Sequence, residues 1–106
     1  MTETLVPVFA ALADDTRWSI LKALGWGEVS ASALALRLPI TRQAIAKHLS
    51  VLQDAGLVEP VRVGREVRYR VIGTRLTETA RRLDAIGVEW DRRLAAIKRI
   101  TEETED

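Results

Sequence analysis

Residues 41–50 read TRQAIAKHLS, a run rich in groups that donate hydrogen bonds. On helical spacing Thr41, Arg42, Gln43, Ala46, Lys47 and Ser50 share one side, while Ala44, Ile45, Leu49 and Leu52 recur at intervals of three and four on the other. Such a polar side is suited to recognition. A guanidinium matches the paired acceptors of guanine, a glutamine amide matches adenine, and Thr, Lys and Ser suit phosphate oxygens. Arg42 and Gln43 fall in the first turn, the part of a groove-reading helix that meets base edges. A second cationic group, Arg62, Arg65 and Arg68, follows a short way on, placed to cover flanking backbone or the minor groove. His48, the single histidine, sits among these residues as a packed or hydrogen-bonded side chain near the contacting face. No serine, cysteine or aspartate stands at a spacing that would make it part of a nucleophilic pair.

Charge distribution supports the same chemistry. The chain of 106 residues carries a formal net charge of only +1. Between Arg37 and Arg75, however, eight basic residues face three acidic ones, a local excess of +5, whereas the last six residues, TEETED, hold −4. A basic middle with an acidic end is the electrostatic footprint of a surface that meets phosphates. The 47% hydrophobic and 29% charged fractions fit one soluble domain with a modest core. No apolar run approaches the roughly 20 residues of a membrane span. The opening MTETLVPVFAALADD has no basic segment and does not read as a signal peptide. With no cysteine to cross-link a small secreted scaffold, a cytoplasmic protein held by packing is expected. No phosphate-cradling glycine loop or nucleophile motif is present, so the expectation is a non-enzyme with no cofactor.

These residues need elements to hold them. A first helix is expected from about Leu5 to Leu12, with Pro7 tolerated in its opening turn. Asp14 can cap a second helix whose apolar side is Trp18, Ile20, Leu21 and Leu24, ended by Gly25 and Gly27. Ser30 can cap a short third helix stopped by Pro39, and Thr41 a fourth that runs to Gly56. From Leu57 to Val71 the period shortens to two. Val61, Val63, Val67, Tyr69 and Val71 alternate with charged residues, and Gly64-Arg65 stands at the reversal, which predicts a half-buried strand pair. A last helix is expected from near Thr74 or Thr77 to about Thr101, a span of some 25 residues and roughly 37 Å. On it Leu83, Gly87, Trp90, Leu94 and Ile97 recur at alternating intervals of four and three, with Ile86 and Ile100 alongside. Trp90 is therefore assigned to a seam with a partner, and Gly87 to a close approach of the partner helix. Trp18 reads as core or interface; Trp26, between two glycines, has no assigned place. The fold class is mainly α with a small β-hairpin: a winged helix-turn-helix of four helices, two strands and a fifth helix. Residues 1–101 form one DNA-binding and dimerisation domain, and 102–106 an acidic tail. A winged-helix module that binds only protein is the alternative, and it would call for a neutral face where Arg42, Gln43 and Lys47 stand.

The segments VFAALADDTRWSIL and TRQAIAKHLSVLQDAGLVEPVRVGREVRYRV resemble the opening helices, recognition helix and wing of the ArsR/SmtB family of bacterial repressors. The likeness runs from about Val8 to Val71. It implies a homodimer clasped by the first and last helices, with Leu5, Val8, Phe9, Leu83, Ile86, Gly87, Trp90, Leu94 and Ile97 in the seam. It also implies a double-stranded DNA operator and release by a small-molecule inducer. Many relatives sense metal through paired cysteines in the third helix, but the matching stretch here is Ser30-Ala31-Ser32, and hydroxyls do not replace thiolates for soft metals. Others use histidines on the last helix, which has none here. The expectation is a member with no metal site.

Overall fold

A computed structural model describes residues 5–104. In chain order the elements are α1 (Val6–Leu12), α2 (Asp15–Leu24), β1 (Val29–Ser30), α3 (Ala31–Arg37), α4 (Arg42–Asp54), β2 (Val58–Val63), β3 (Glu66–Val71) and α5 (Gly73–Thr104). The expected winged helix-turn-helix is present, with one strand more than the sequence showed. The chain divides into two compact units, one up to Arg75 and one from Leu76.

In the first unit, side-chain caps start three of the four helices. Asp14 Oδ1 accepts from the Arg17 amide at 3.0 Å, Ser30 Oγ from Ala33 at 3.1 Å, and Thr41 Oγ1 from Ala44 at 3.1 Å. Each satisfies an amide that the helix itself leaves unpaired. At the far end of α4, Gly56 takes φ +77, the Leu57 amide donates to the Leu52 carbonyl and the Gly56 amide to that of Gln53. This pair of bonds is the Schellman arrangement, and the accompanying apolar contact is available because Leu52 and Leu57 are both fully buried. The core of this unit is Val8, Ile20, Leu24, Leu34, Ile45, Leu49, Leu52, Leu57 and Val58, drawn from every helix and from β2. Burial of their apolar surface is what holds α4 against the rest.

The sheet has the order β1-β3-β2, all antiparallel. Residues Val29 and Ser30 pair with Tyr69 and Arg68, making a third strand that two residues could not announce by any period. The hairpin closes on Gly64-Arg65, with φ +64 at Gly64 and none positive at Arg65, so only the first loop position needs glycine. The register departs from the expectation of one half-buried face. Val63 pairs with Glu66, Val61 with Arg68 and Arg62 with Val67, so the valines of β2 share a face with charged residues of β3. A two-residue loop fixes that parity, because directly paired residues point the same way. Near the loop both Val63 and Val67 are exposed.

The second unit is the body of α5. The helix runs to Thr104, three residues beyond the expected end, and so takes in Glu102 and Glu103 of the acidic stretch. Its 32 residues correspond to roughly 48 Å. Leu83, Ile86, Trp90, Leu94, Ile97 and Ile100 are all exposed along it.

Candidate nucleic-acid interface

Three residues, Leu38, Pro39 and Ile40, separate α3 from the Thr41 cap of α4. On α4, Ile45, Leu49 and Leu52 turn inward and are essentially inaccessible, which obliges the opposite side to face outward. Arg42, Gln43, Ala46, Lys47 and Ser50 are all exposed there. Thr41 is exposed as well, and its hydroxyl still has a proton to give while its oxygen caps the helix. Among the described residues, no carboxylate stands within ion-pair distance of Arg42 or Lys47. Their charge is therefore open to an external anion.

The wing shows a more divided pattern. Arg62 and Arg65 are exposed and likewise without a carboxylate among the described residues. Arg68 is held by Glu66 at 3.2 Å, and its pairing with Val61 puts it on the face opposite Val67 and Tyr69. Arg70 is bound by Glu59 at 2.7 Å and lies 3.8 Å from Glu28. These half-exposed pairs add little stability, but they neutralise two of the wing's four arginines.

A cleft of about 600 Å³ lies where α4 meets the wing. It is lined by Arg42, Gln43 and Ala46 from α4, by Arg65, Glu66, Val67 and Tyr69 from the wing, and by Ser30, Ala31 and Ser32. Thus the base-reading pair expected on α4 and one wing cation do share a single concavity. Sequence reasoning missed Ser32 and Tyr69. The signal was the hairpin parity: with a two-residue loop, Tyr69 lies on the face shared with Val67, Pro60 and Val29 and not beside Val61.

His48 is corrected. It lies two positions from both Ala46 and Ser50, about 200° around the helix from each. It is half-buried, with Nδ1 3.3 Å from a guanidinium nitrogen of Arg17. Arginine can only donate, so in this hydrogen bond Nδ1 is the acceptor. The histidine therefore faces α2 and is not part of the outward side.

Val8 is corrected too. It is 0% exposed and belongs to the core of its own unit, so a second chain has nothing of it to touch. Of the other α1 residues expected in the seam, Leu5 is half-buried at the N-cap and Phe9 is exposed. Val6, which was not expected there, is more open than either. On α5, Trp90 is 53% exposed with the Arg93 guanidinium 5.4 Å from its ring centre, and a Cβ added at Gly87 would meet nothing within 4 Å. Trp26 is 93% exposed in the turn after α2. Among the described residues no three His, Cys, Asp or Glu side chains gather as metal ligands would.

Comparison with known proteins bears on this geometry. Residues 12–61 match a family described as a helix-turn-helix domain. Over 72 residues the chain is 50% identical to an uncharacterised HTH-type transcriptional regulator, YuzN, of Bacillus subtilis strain 168, covering 61% of this chain and 75% of that one. A solved ArsR-like transcriptional regulator from Rhodococcus sp. RHA1 superposes with a TM-score of 0.86 at 65% identity, covering 93% of this chain and 91% of the other. The chain belongs to the ArsR family. Its members are transcriptional regulators with a winged helix-turn-helix, not enzymes. Another solved structure is the homodimeric winged helix-turn-helix DNA-binding domain, fragment 1–100, of Mb0332 from Mycobacterium bovis, described as a possible ArsR-family transcriptional regulator. It is 31% identical, with a TM-score of 0.64, and 85% of this chain and 81% of that one are covered. In this ArsR-family chain, then, α3 and α4 are the helix-turn-helix and β2–β3 is the wing.

Proposed function

We propose that the chain is a homodimeric repressor that seats α4 in the major groove of a pseudo-palindromic operator and lays the wing on the flanking backbone. The observation that carries this is the outward side of α4, where Arg42, Gln43 and Lys47 stand exposed with their charges and amide unengaged by any carboxylate among the described residues. A groove about 12 Å wide admits one such helix. In this reading Arg42 and Gln43 meet base edges. Thr41, Lys47 and Ser50 meet phosphates on the same strand track, and Arg62 and Arg65 meet the backbone beyond it.

Two chains are needed because a single helix pair reads only one half-site. The Mycobacterium bovis relative is a homodimer, and here α5 exposes an apolar stripe that includes Leu83, Trp90, Leu94 and Ile97. Exposed stripes of that kind mark association surfaces. Open space beside Gly87 would let a second helix approach closely. Two-fold symmetry then sets half-sites about one helical turn apart, and a dimer bound across them blocks polymerase. No helix of the described residues is long and apolar enough to cross a membrane, in keeping with a protein that works on DNA in the cytoplasm.

The test is selection of duplexes from a random pool, repeated with two variants. The wild-type chain should enrich a pseudo-palindrome. Arg42→Ala should relax preference at one position of each half-site, where a wrong base ordinarily costs about 1–3 kcal/mol, while Arg65→Ala should weaken all duplexes alike. If the two variants behave identically, the division between reading and anchoring is wrong.

A further inference from the structure

Arg17 is 15% exposed along its side chain and touches three elements at once. Its Nε donates to the Ala11 carbonyl and its Nη2 to that of Ala10 at 3.2 Å, at the end of α1. Its Nη1 reaches His48 Nδ1 on α4 at 3.3 Å and lies 3.8 Å from Asp14 Oδ2, the cap of its own helix. The Ala10 carbonyl also accepts from the Ala13 amide at 3.3 Å, and no basic residue stands in the last turn of α1, so the guanidinium adds donors to the closing carbonyls and supplies the favourable charge. One planar fork thus ties the end of α1 and the start of α2 to the flank of α4.

Packing of Ile45, Leu49 and Leu52 turns the polar side of α4 outward, but burial of apolar surface is non-directional and leaves small rotations about the helix axis undecided. A hydrogen bond from a rigid guanidinium to a ring nitrogen does not. His48 sits on the flank of the buried stripe, where such a bond has the most leverage over which side chains face outward. We propose that Arg17 is a positioning residue for DNA recognition, fixing the rotation of α4 through His48 and thereby the aim of Arg42 and Gln43. This rests on the reading of α4 as the base-contacting helix.

The experiment measures affinity for two duplexes: the one that the wild-type chain selects from a random pool, and a scrambled duplex of the same length and composition. Arg17→Lys keeps the charge but has no fork, and His48→Ala removes the acceptor. Each should lower the ratio of selected to scrambled affinity about tenfold, the scale of one hydrogen bond to a charged group, and leave the scrambled affinity unchanged. The double variant should lose no more than either single one, because both act through one contact. His48→Asn, which offers an amide oxygen close to where Nδ1 accepts, should restore most of the ratio. Folded fraction is followed by circular dichroism at the assay temperature. The proposal is overturned if both affinities fall together in step with lost fold, if the double variant loses the product of the singles, or if His48→Asn behaves as His48→Ala. It is also overturned if Arg17→Gln makes the salt dependence of the scrambled duplex shallower, which would mean that Arg17 touches phosphate itself. A wild-type chain that does not prefer one duplex over the other overturns the reading of α4, and this proposal with it.

Discussion

Single residues decide where the helices begin, and three of them were legible because caps combine residue type with position. Asp14, Ser30 and Thr41 each precede an apolar periodic run and each accept the amide expected of them. Asp14 also yields a pH dependence. The Arg17 amide bonded to its carboxylate holds the carboxyl below its ordinary value of 3.8, against the opposing effect of burial and with help from the Arg17 charge. A carboxylate whose folded value is lowered stabilises the fold fully above its unfolded value, and loses that contribution as pH falls through the lower folded one. Asp14→Asn keeps a capping oxygen and removes the titration. Its urea midpoint should therefore decline less than wild type as pH is taken below 3.8, and parallel curves would show the charge to be idle. The roles of His48 and Arg17 were not legible in the same way. Their partnership spans 31 positions, and nothing local to either residue signals the other.

At the scale of elements, period revealed what was long and missed what was short. The 13 residues of α4 show their stripe plainly, whereas β1 has two residues and exists only because β3 offers it an edge. In the hairpin, the alternation along each strand and the reversal at Gly64-Arg65 were legible, but which residues share a face across the strands comes from loop length and not from either strand's pattern. The stop of α4 was legible, because Gly56 is the residue that accepts φ +77 most cheaply. Gly56→Ala should cost about 1–2 kcal/mol in urea unfolding, the penalty of a left-handed conformation for a residue with a Cβ. An unchanged midpoint would mean that the Schellman bonds can be replaced without strain.

At the scale of the whole molecule, the proposed function divides the work between two surfaces: the outward side of α4 with the wing, and the stripe on α5. The second was legible as a heptad-like recurrence, though Val8 was wrongly added from the first helix because its type suited a seam and its burial could not be seen. Trp90→Ala should weaken self-association by about 2 kcal/mol, roughly 30-fold in the dimer dissociation constant by sedimentation equilibrium, if it lies at the centre of the seam. An unaltered equilibrium would remove it from the seam. The first surface makes the central claim, that open cations on one helix and one wing meet the phosphates of a duplex. Its most direct test is affinity for duplex DNA across a series of salt concentrations. With Lys47, Arg62 and Arg65 of both chains on phosphates, log affinity should fall against log salt with a slope of about −5. A flat line, or no binding even at low ionic strength, would contradict it.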